Sequence, residues 1–332
     1  LSVVYTPLNG AGHRIVPEIL ERIGAKVIKV VEQAFPNGNF TTCPVPNPEK
    51  PEALMLGLRY AETDKADLLL ATDPDCDRVG VAVRHNDKYV RLSGNEIGIL
   101  LTDYLLATKR NHGVLPLDPV VIKTIVTSSL TDKIVADYGG TTVNLLTGFK
   151  YIGEYITKME REKTLDRFIL GFEESCGYLS GSYVRDKDGV VACMLIAEMT
   201  AEYLRHGITL VDRINFIYNK YGRYWHKQQT YSFGGVDGSA KRVAMMEKLR
   251  EHHTESIAGL KVMSKQDLLG SDMEELPRAD VLIYKLSNNS QIILRPSGTE
   301  PLIKAYITVV GDSAYANLIT DKIIESLNNF FN

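Results

Sequence analysis

The 332-residue sequence predicts an α/β protein, with two similar mixed-sheet α/β domains followed by a smaller α+β C-terminal domain. Three observations carry that prediction. Short apolar, β-branched runs alternate with helix-period patterns through most of the chain, as in βαβ units whose parallel strands are buried on both faces. Toward the C-terminus the rhythm changes to a helix, closely spaced strands and a closing helix. The composition, 44% hydrophobic and 24% charged, is that of a folded protein without long disordered or collagen-like tracts, and the length suits two or three folding units.

In the first domain, 1–113, strands are expected over 2–6, 26–30, 67–71, 80–84 and 88–91, with a helix over 51–65. Ser93 and Glu96 have the spacing of a capping box that opens a helix over 94–109, and Asn111, Gly113 and Pro116 end it. The second domain, 114–228, starts with a strand over 120–125 and continues with strands over 143–145 and 168–171 and helices over 190–206 and 210–221. Its pattern resembles the first without a residue-level repeat at a fixed period. The polar, glycine-rich stretch 223–239 reads as a connection. The third domain, 229–332, carries a helix over 241–251, strands over 281–285, 291–294 and 303–309, and a helix after Ser313.

Several function classes fall away on charge and motif. The 38 Lys and Arg against 41 Asp and Glu give −3, so there is no global basic field for nucleic acid or a membrane surface. No apolar run approaches the ~20 residues that cross a bilayer, and the N-terminus lacks the pattern of a signal peptide. The expected location is cytoplasmic. Cys43, Cys76, Cys176 and Cys193 are scattered without CxxC pairing, which favours reduced thiols. HExxH, GxGxxG and GxxxxGK[ST] are all absent. The turn 9–13, NGAGH, reads as a plain strand-to-helix turn rather than a phosphate cradle.

Three loops remain. In ATDPDCDRVG, Asp73, Asp75 and Asp77 follow a buried strand at alternate positions. Three carboxylates this close repel unless a cation sits among them, and hard oxygen ligands suit Mg²⁺. Arg78 is placed to clamp a phosphoryl group. An acidic surface turn built from Asp as turn former is the alternative. In GFEESCGYLSGS, Glu173, Glu174 and Ser175 offer the acceptors and hydroxyl that vicinal sugar hydroxyls need, although two surface glutamates in a loop read equally well. In RPSGTEP, Arg295, Ser297 and Thr299 surround Gly298, whose missing Cβ would let N–H groups converge on an anion; a Ser-Gly turn beside a solvated arginine is the other reading.

Together with TPLNGAG, KTIVTSS, TGFKYIG and VRDKDGV, the strings DPDCDR, GFEESCGY and RPSGTEP resemble the α-D-phosphohexomutase family in this order across most of the chain. The EES form of the sugar loop is most similar to the phosphoglucomutase branch, with phosphomannomutase close behind. The resemblance implies a four-domain fold, of which this chain would carry domains two to four. It implies Mg²⁺ at Asp73, Asp75 and Asp77, Arg78 beside the transferring phosphoryl group, and Glu173 and Ser175 on sugar hydroxyls. Lys150 would grip substrate, and Arg295, Ser297, Gly298 and Thr299 would bind the phosphate not being transferred. The implied reaction moves a phosphoryl group between C1 and C6 of a hexose phosphate through a phosphoserine and a hexose 1,6-bisphosphate.

The sequence departs from the family pattern in two places. Asn9 stands where a histidine is common, and no TASHNP-type serine loop occurs from Leu1 to Asn332. With the chain opening at Leu1 directly into a β-type run, the resemblance implies a C-terminal portion without the phosphoserine domain, which is expected not to turn over by itself. That missing domain and a hexose phosphate are the expected partners. Two other readings differ in class. One is a noncatalytic phosphosugar-binding module; the other is an Asp-nucleophile phosphatase, disfavoured because no Thr follows the aspartates at the usual spacing.

Overall fold

The structure, a computed structural model, describes residues 1–235, 237–270, 276–298 and 300–331. The chain divides into two compact units, Leu1–Tyr221 and Gly222–Asn332. Among the described residues no helix is long and apolar enough to cross a membrane, and the four cysteines are free.

The first unit opens with β1 (Ser2–Thr6), α1 (Ile15–Arg22), β2 (Lys26–Lys29), α2 (Pro51–Asp64), β3 (Leu68–Thr72), β4 (Val79–His85), β5 (Lys88–Leu92) and α3 (Gly94–Asn111). Its first sheet runs β2-β1-β3-β4-β5, parallel across β2, β1 and β3 and antiparallel from β3 onward. α2 starts with Pro51, whose missing N–H costs nothing in a first turn, and stops at Lys65 in the left-handed region. It lays Ala53, Leu54 and Ala61 against Val4, Leu69 and Ala71 of the sheet. α3 begins with the expected capping box, Ser93 accepting from Glu96 N and the Glu96 carboxylate accepting from Ser93 N.

The unit continues with β6 (Val120–Thr124), α4 (Leu130–Asp137), β7 (Thr141–Leu145), α5 (Phe149–Arg161), β8 (Phe168–Glu173), β9 (Gly177–Leu179), α6 (Gly189–Arg205) and α7 (Leu210–Tyr221). The second sheet, β7-β6-β8-β9, repeats the order and directions of β2-β1-β3-β4. The two domains are thus similar in topology although their residues show no repeat. Both sheets also share an all-apolar third strand. LLLA in β3 and FILGF in β8 are buried throughout, as a strand covered on both faces requires. β1 lies between β2 and β3, and β6 between β7 and β8, as parallel neighbours, and the turns after β3 and β8 leave from the C-terminal ends of those parallel strands.

Among the described residues, the second unit is a six-stranded antiparallel sheet with two α-helices. It comprises β10 (Tyr224–Ser232), α8 (Gly238–Glu251), β11 (Ser256–Ile257), β12 (Leu260–Asp267), β13 (Leu282–Leu286), β14 (Gln291–Pro296), β15 (Leu302–Val310) and α9 (Ser313–Phe331), in the sheet order β10-β15-β14-β13-β12-β11. Met246 and Leu249 of α8 and Ile319, Ile323 and Leu327 of α9 cover Leu282, Ile292, Leu294 and Ile307. The stretch expected to be a connection is corrected: β10 pairs with β15 over nine residues, from Tyr224↔Val310 to Ser232↔Leu302. As an edge strand it is half solvated, so its polar residues are those an exposed edge carries.

Candidate functional site

The acidic loop is the turn between β3 and β4. Cys76 N donates to Asp73 O at 2.9 Å, and Cys76 itself takes a left-handed φ of 61°. Asp73 is completely buried. Its Oδ1 accepts from Asp77 N at 3.0 Å and Arg78 N at 2.9 Å, and its Oδ2 accepts from Arg78 Nε at 2.6 Å. Burial pushes the Asp73 carboxyl up to about 6 against those Arg78 bonds, and the charge of Asp77 pushes the same way. Asp75 is exposed and Asp77 half-buried, yet one oxygen from each of the three carboxylates lies within 4.8 Å of the others. A hard divalent cation fits such a set.

The NGAGH turn braces this loop. Ala11 N donates to Pro74 O at 2.7 Å, and a Cβ on Gly10 would stand 2.3 Å from Pro74 Cα. The turn runs from β1 through a short 3₁₀ segment, Ala11–His13, into α1, the strand-to-helix connection expected there. Asn9 spends its amide on the carbonyls of Glu32 and Phe35, at 3.3 and 2.8 Å.

The sugar-type loop is the corresponding turn of the second sheet, between β8 and β9. The two turns are stitched edge to edge: Val79 N donates to Cys176 O at 2.9 Å and Arg78 bridges Gly177, while Gly189 N at the start of α6 donates to Cys76 O at 3.0 Å. Glu173 is buried, its Oε1 accepting from Gly148 N at 3.0 Å. Burial raises its carboxyl, while the charge of Lys187 and the Gly148 N–H pull it down. Ser175 is half-buried on the same turn. Lys150, two residues beyond Gly148 on the first turn of α5, is exposed, with its ammonium 4.9 Å from the Tyr151 ring centroid.

Lys187 was not singled out from sequence, although it lies in the string VRDKDGV. Its Nζ sits 3.0 Å from Asp77 Oδ2 and 3.2 Å from Asp186 Oδ1. Its stem crosses Gly177, where a Cβ would stand 2.2 Å from Lys187 Cδ. The next residue, Asp188, caps α6 by accepting from Val190 N and Val191 N, so the helix start aims the lysine at the acidic loop. Asp73, Asp75, Asp77, Arg78, Glu173 and Lys187 therefore form one cluster, with Arg78 and Lys187 as its internal counter-charges. Arg78 also reaches Glu49 Oε1 at 3.1 Å.

The phosphate-type loop belongs to the second unit, between β14 and β15. Arg295 is paired with Lys304 in the β14–β15 ladder, and Ser297 N closes the turn on Leu302 O at 2.9 Å. Ser297 Oγ accepts from Glu300 N at 3.2 Å, and Arg242 of α8 donates to the carbonyls of Ser297 and Glu300. Thr299 lies outside the described residues. Among the described residues, Gly298 has no heavy atom within 4 Å of an added Cβ and is not among the glycines with positive φ, so the described packing does not demand glycine there.

Comparison with known proteins follows the same division. The family model described as phosphoglucomutase/phosphomannomutase, alpha/beta/alpha domain II, matches residues 1–86, and domain III of the same family matches 93–221. The chain is 36% identical over 325 residues to a phosphoglucomutase of Staphylococcus haemolyticus, covering 94% of this chain and 58% of that protein. It is 32% identical over 337 residues to a phosphomannomutase of Mycoplasmoides pirum, covering 98% of this chain and 59% of that protein. Among solved structures, a phosphoglucomutase/phosphomannomutase family protein from Burkholderia thailandensis superposes with a TM-score of 0.73 at 17% identity, over 99% of this chain and 60% of that one. The open form of parafusin from Paramecium gives 0.69 at 17%, over all of this chain and 58% of that one. These structural likenesses establish fold, and the chain spans a little under three fifths of the curated relatives it matches. Two successive family domains matched over about two thirds of its residues, with the fold to go with them, make this chain a member of the α-D-phosphohexomutase family of phosphoglucomutases and phosphomannomutases.

Proposed function

We propose that this chain supplies the metal-, sugar- and phosphate-binding loops of a phosphoglucomutase-type enzyme, which moves a phosphoryl group between C1 and C6 of a hexose phosphate. The observation that carries the reading is the stitching of the acidic turn, with Arg78 and Lys187, to the turn bearing Glu173 and Ser175. Asp73, Asp75 and Asp77 would hold Mg²⁺, which when bound supplies positive charge for phosphoryl oxygens. Arg78, whose Nε is held by Asp73 and one of whose terminal nitrogens lies on Glu49, would orient a phosphoryl group with the rest of its guanidinium, and Lys187, held at Asp77, is a second cation at the same rim. Glu173 and Ser175 accept from and donate to hexose hydroxyls, Lys150 contributes a cation beside them, and Arg295, Ser297, Gly298 and Thr299 bind the other phosphate.

The serine that carries the phosphoryl group belongs to a loop that the sequence of this chain does not contain. In this reading the expected domains 1–113, 114–228 and 229–332 carry the metal, sugar and phosphate loops, with the last boundary moved to 221/222 because β10 runs unbroken across 228–229. They work with a phosphoserine domain, and hexose 1,6-bisphosphate is the intermediate. Glucose is the preferred hexose on the EES form of the loop and the phosphoglucomutase name of the S. haemolyticus relative. Mannose is the alternative, which the M. pirum relative supports. Titration calorimetry with glucose 1-phosphate and mannose 1-phosphate in Mg²⁺ tests the reading. Binding that weakens about tenfold in Arg295→Ala supports it. Binding indifferent to Mg²⁺, hexose and Arg295 contradicts it.

A further inference from the structure

Glu174 has no part in the reading above. Successive residues of extended backbone project to opposite sides, so while Glu173 faces the Gly148 turn, Glu174 faces the turn after β6. Its Oε2 there accepts from Thr124 Oγ1 at 3.1 Å and Thr127 Oγ1 at 3.4 Å, and the two hydroxyls are 2.6 Å apart. That turn is fixed from behind. Lys123 Nζ, fully buried, donates to Thr127 O at 3.3 Å, and Ser128 N donates to Asn95 Oδ1 of α3 at 2.8 Å. On the main-chain side, the Glu174 carbonyl abuts Gly94, where a Cβ would stand 2.1 Å from its oxygen, and Tyr178 Oη donates to the Gly94 carbonyl at 3.1 Å.

We propose that Glu174 is the positioning residue of the sugar-type loop, tying it to the 124–127 turn and so fixing the angle at which Glu173 and Ser175 meet a hexose. The inference rests on the reading of 173–175 as hexose-binding. Loops that carry their own ligand groups stay precise only when neighbouring side chains lock them, and Glu174 is the group through which the start of α3 and the end of β6 both act on this loop. The hydroxyl pair accommodates either charge state. An ionised Glu174 accepts from the threonines, and a neutral one donates its own O–H to one of them. Charge-assisted bonds are the tighter set. Burial pushes this carboxyl up to about 7. Glu173 on its own loop and Glu49 before α2 add to the rise, Lys123 stands behind Thr127, and Glu96 is on the α3 turn beside Gly94. The grip on the loop therefore changes near neutral pH.

The test is calorimetric titration of the whole chain with glucose 1-phosphate in Mg²⁺, and with inorganic phosphate as a second probe, across about pH 6 to 8.5. Wild type is compared with Glu174→Gln, Glu174→Ala and Thr127→Val. Taking each affinity relative to Glu174→Gln cancels the ligand's own titration. Glu174→Ala and Thr127→Val are expected to weaken glucose 1-phosphate about tenfold and leave inorganic phosphate unchanged. Glu174→Gln is expected to match wild type at low pH and to depart from it as pH passes about 7. If both glutamate variants bind glucose 1-phosphate like wild type at every pH, the positioning role is overturned. If wild type binds inorganic phosphate and glucose 1-phosphate equally, the hexose reading of the loop fails first. Thr127→Val lies outside the loop and keeps the test informative should Glu174→Ala not fold.

Discussion

Asp73 and Asp75 occupy the same short turn and do different work. Asp73 is wholly buried, bonded through both oxygens, and its removal takes away the anchor of the turn. Asp75 is exposed and makes no contribution to that anchor. Asp75→Asn is accordingly expected to weaken Mg²⁺ binding about tenfold or more while leaving the urea midpoint where it was. A large loss of stability with metal affinity intact would reverse those roles. Glu174 gives the folded chain a pH dependence of definite sign. Its folded value, about 7, lies above its ordinary 4.5, so the folded chain holds the proton more tightly. The stabilisation this gives is fully present below about pH 4.5 and is lost as pH rises through about 7, by on the order of 3 kcal/mol at most. Glu174→Gln should flatten that part of the profile, measured as the difference between urea midpoints at about pH 5 and pH 8. The residue types of the site were legible in sequence, but their partners were not. Nothing in the spacing of Asp73 and Lys187, more than a hundred positions apart, says that they share one rim.

The elements that read most clearly were those buried on both faces. β3 and β8 carry the continuous apolar runs LLLA and FILGF because both sides of each are covered, and β6 is buried along its whole length although it holds Lys123 and Thr124. β10 did not read as a strand, because an edge strand with one solvated side and Lys227, Gln228 and Gln229 in its middle lacks that signal. Glycine placement in α3 is a sharper case. Gly98→Ala would gain about 1 kcal/mol of helix propensity. Its Cβ would stand 2.0 Å from Phe172 Cε2, a buried ring stacked on Tyr178, and overpacking of that kind costs about 1–3 kcal/mol. Packing wins, so the substitution should lower the urea midpoint and, through β8, weaken hexose phosphate binding. In the second unit, Lys265 Nζ caps the end of α8 with bonds to the carbonyls of Leu249, Arg250 and His252 at 2.7, 2.6 and 3.0 Å. Lys265→Met should destabilise that unit by about 1–3 kcal/mol, read as earlier loss of protection in α8 by hydrogen exchange.

At the scale of the molecule, the repeated strand order of the first two sheets puts an acidic turn and a glutamate turn at equivalent positions, each after an all-apolar strand. Sequence pattern alone gave the alternation that leads to this topology, and the topology explains why two loops a hundred residues apart can be joined by main-chain hydrogen bonds. In the proposed reading, this chain holds the binding loops of a phosphohexomutase, and its sequence contains no TASHNP-type serine loop to carry the phosphoryl group. The most direct measurement is the Mg²⁺-dependent conversion of glucose 1-phosphate to glucose 6-phosphate by the folded chain, with glucose 1,6-bisphosphate added. Glucose 1-phosphate is expected to bind without turnover; conversion at the ordinary enzymatic rates of about 1–10³ s⁻¹ would place a nucleophile within these residues and contradict the proposed role.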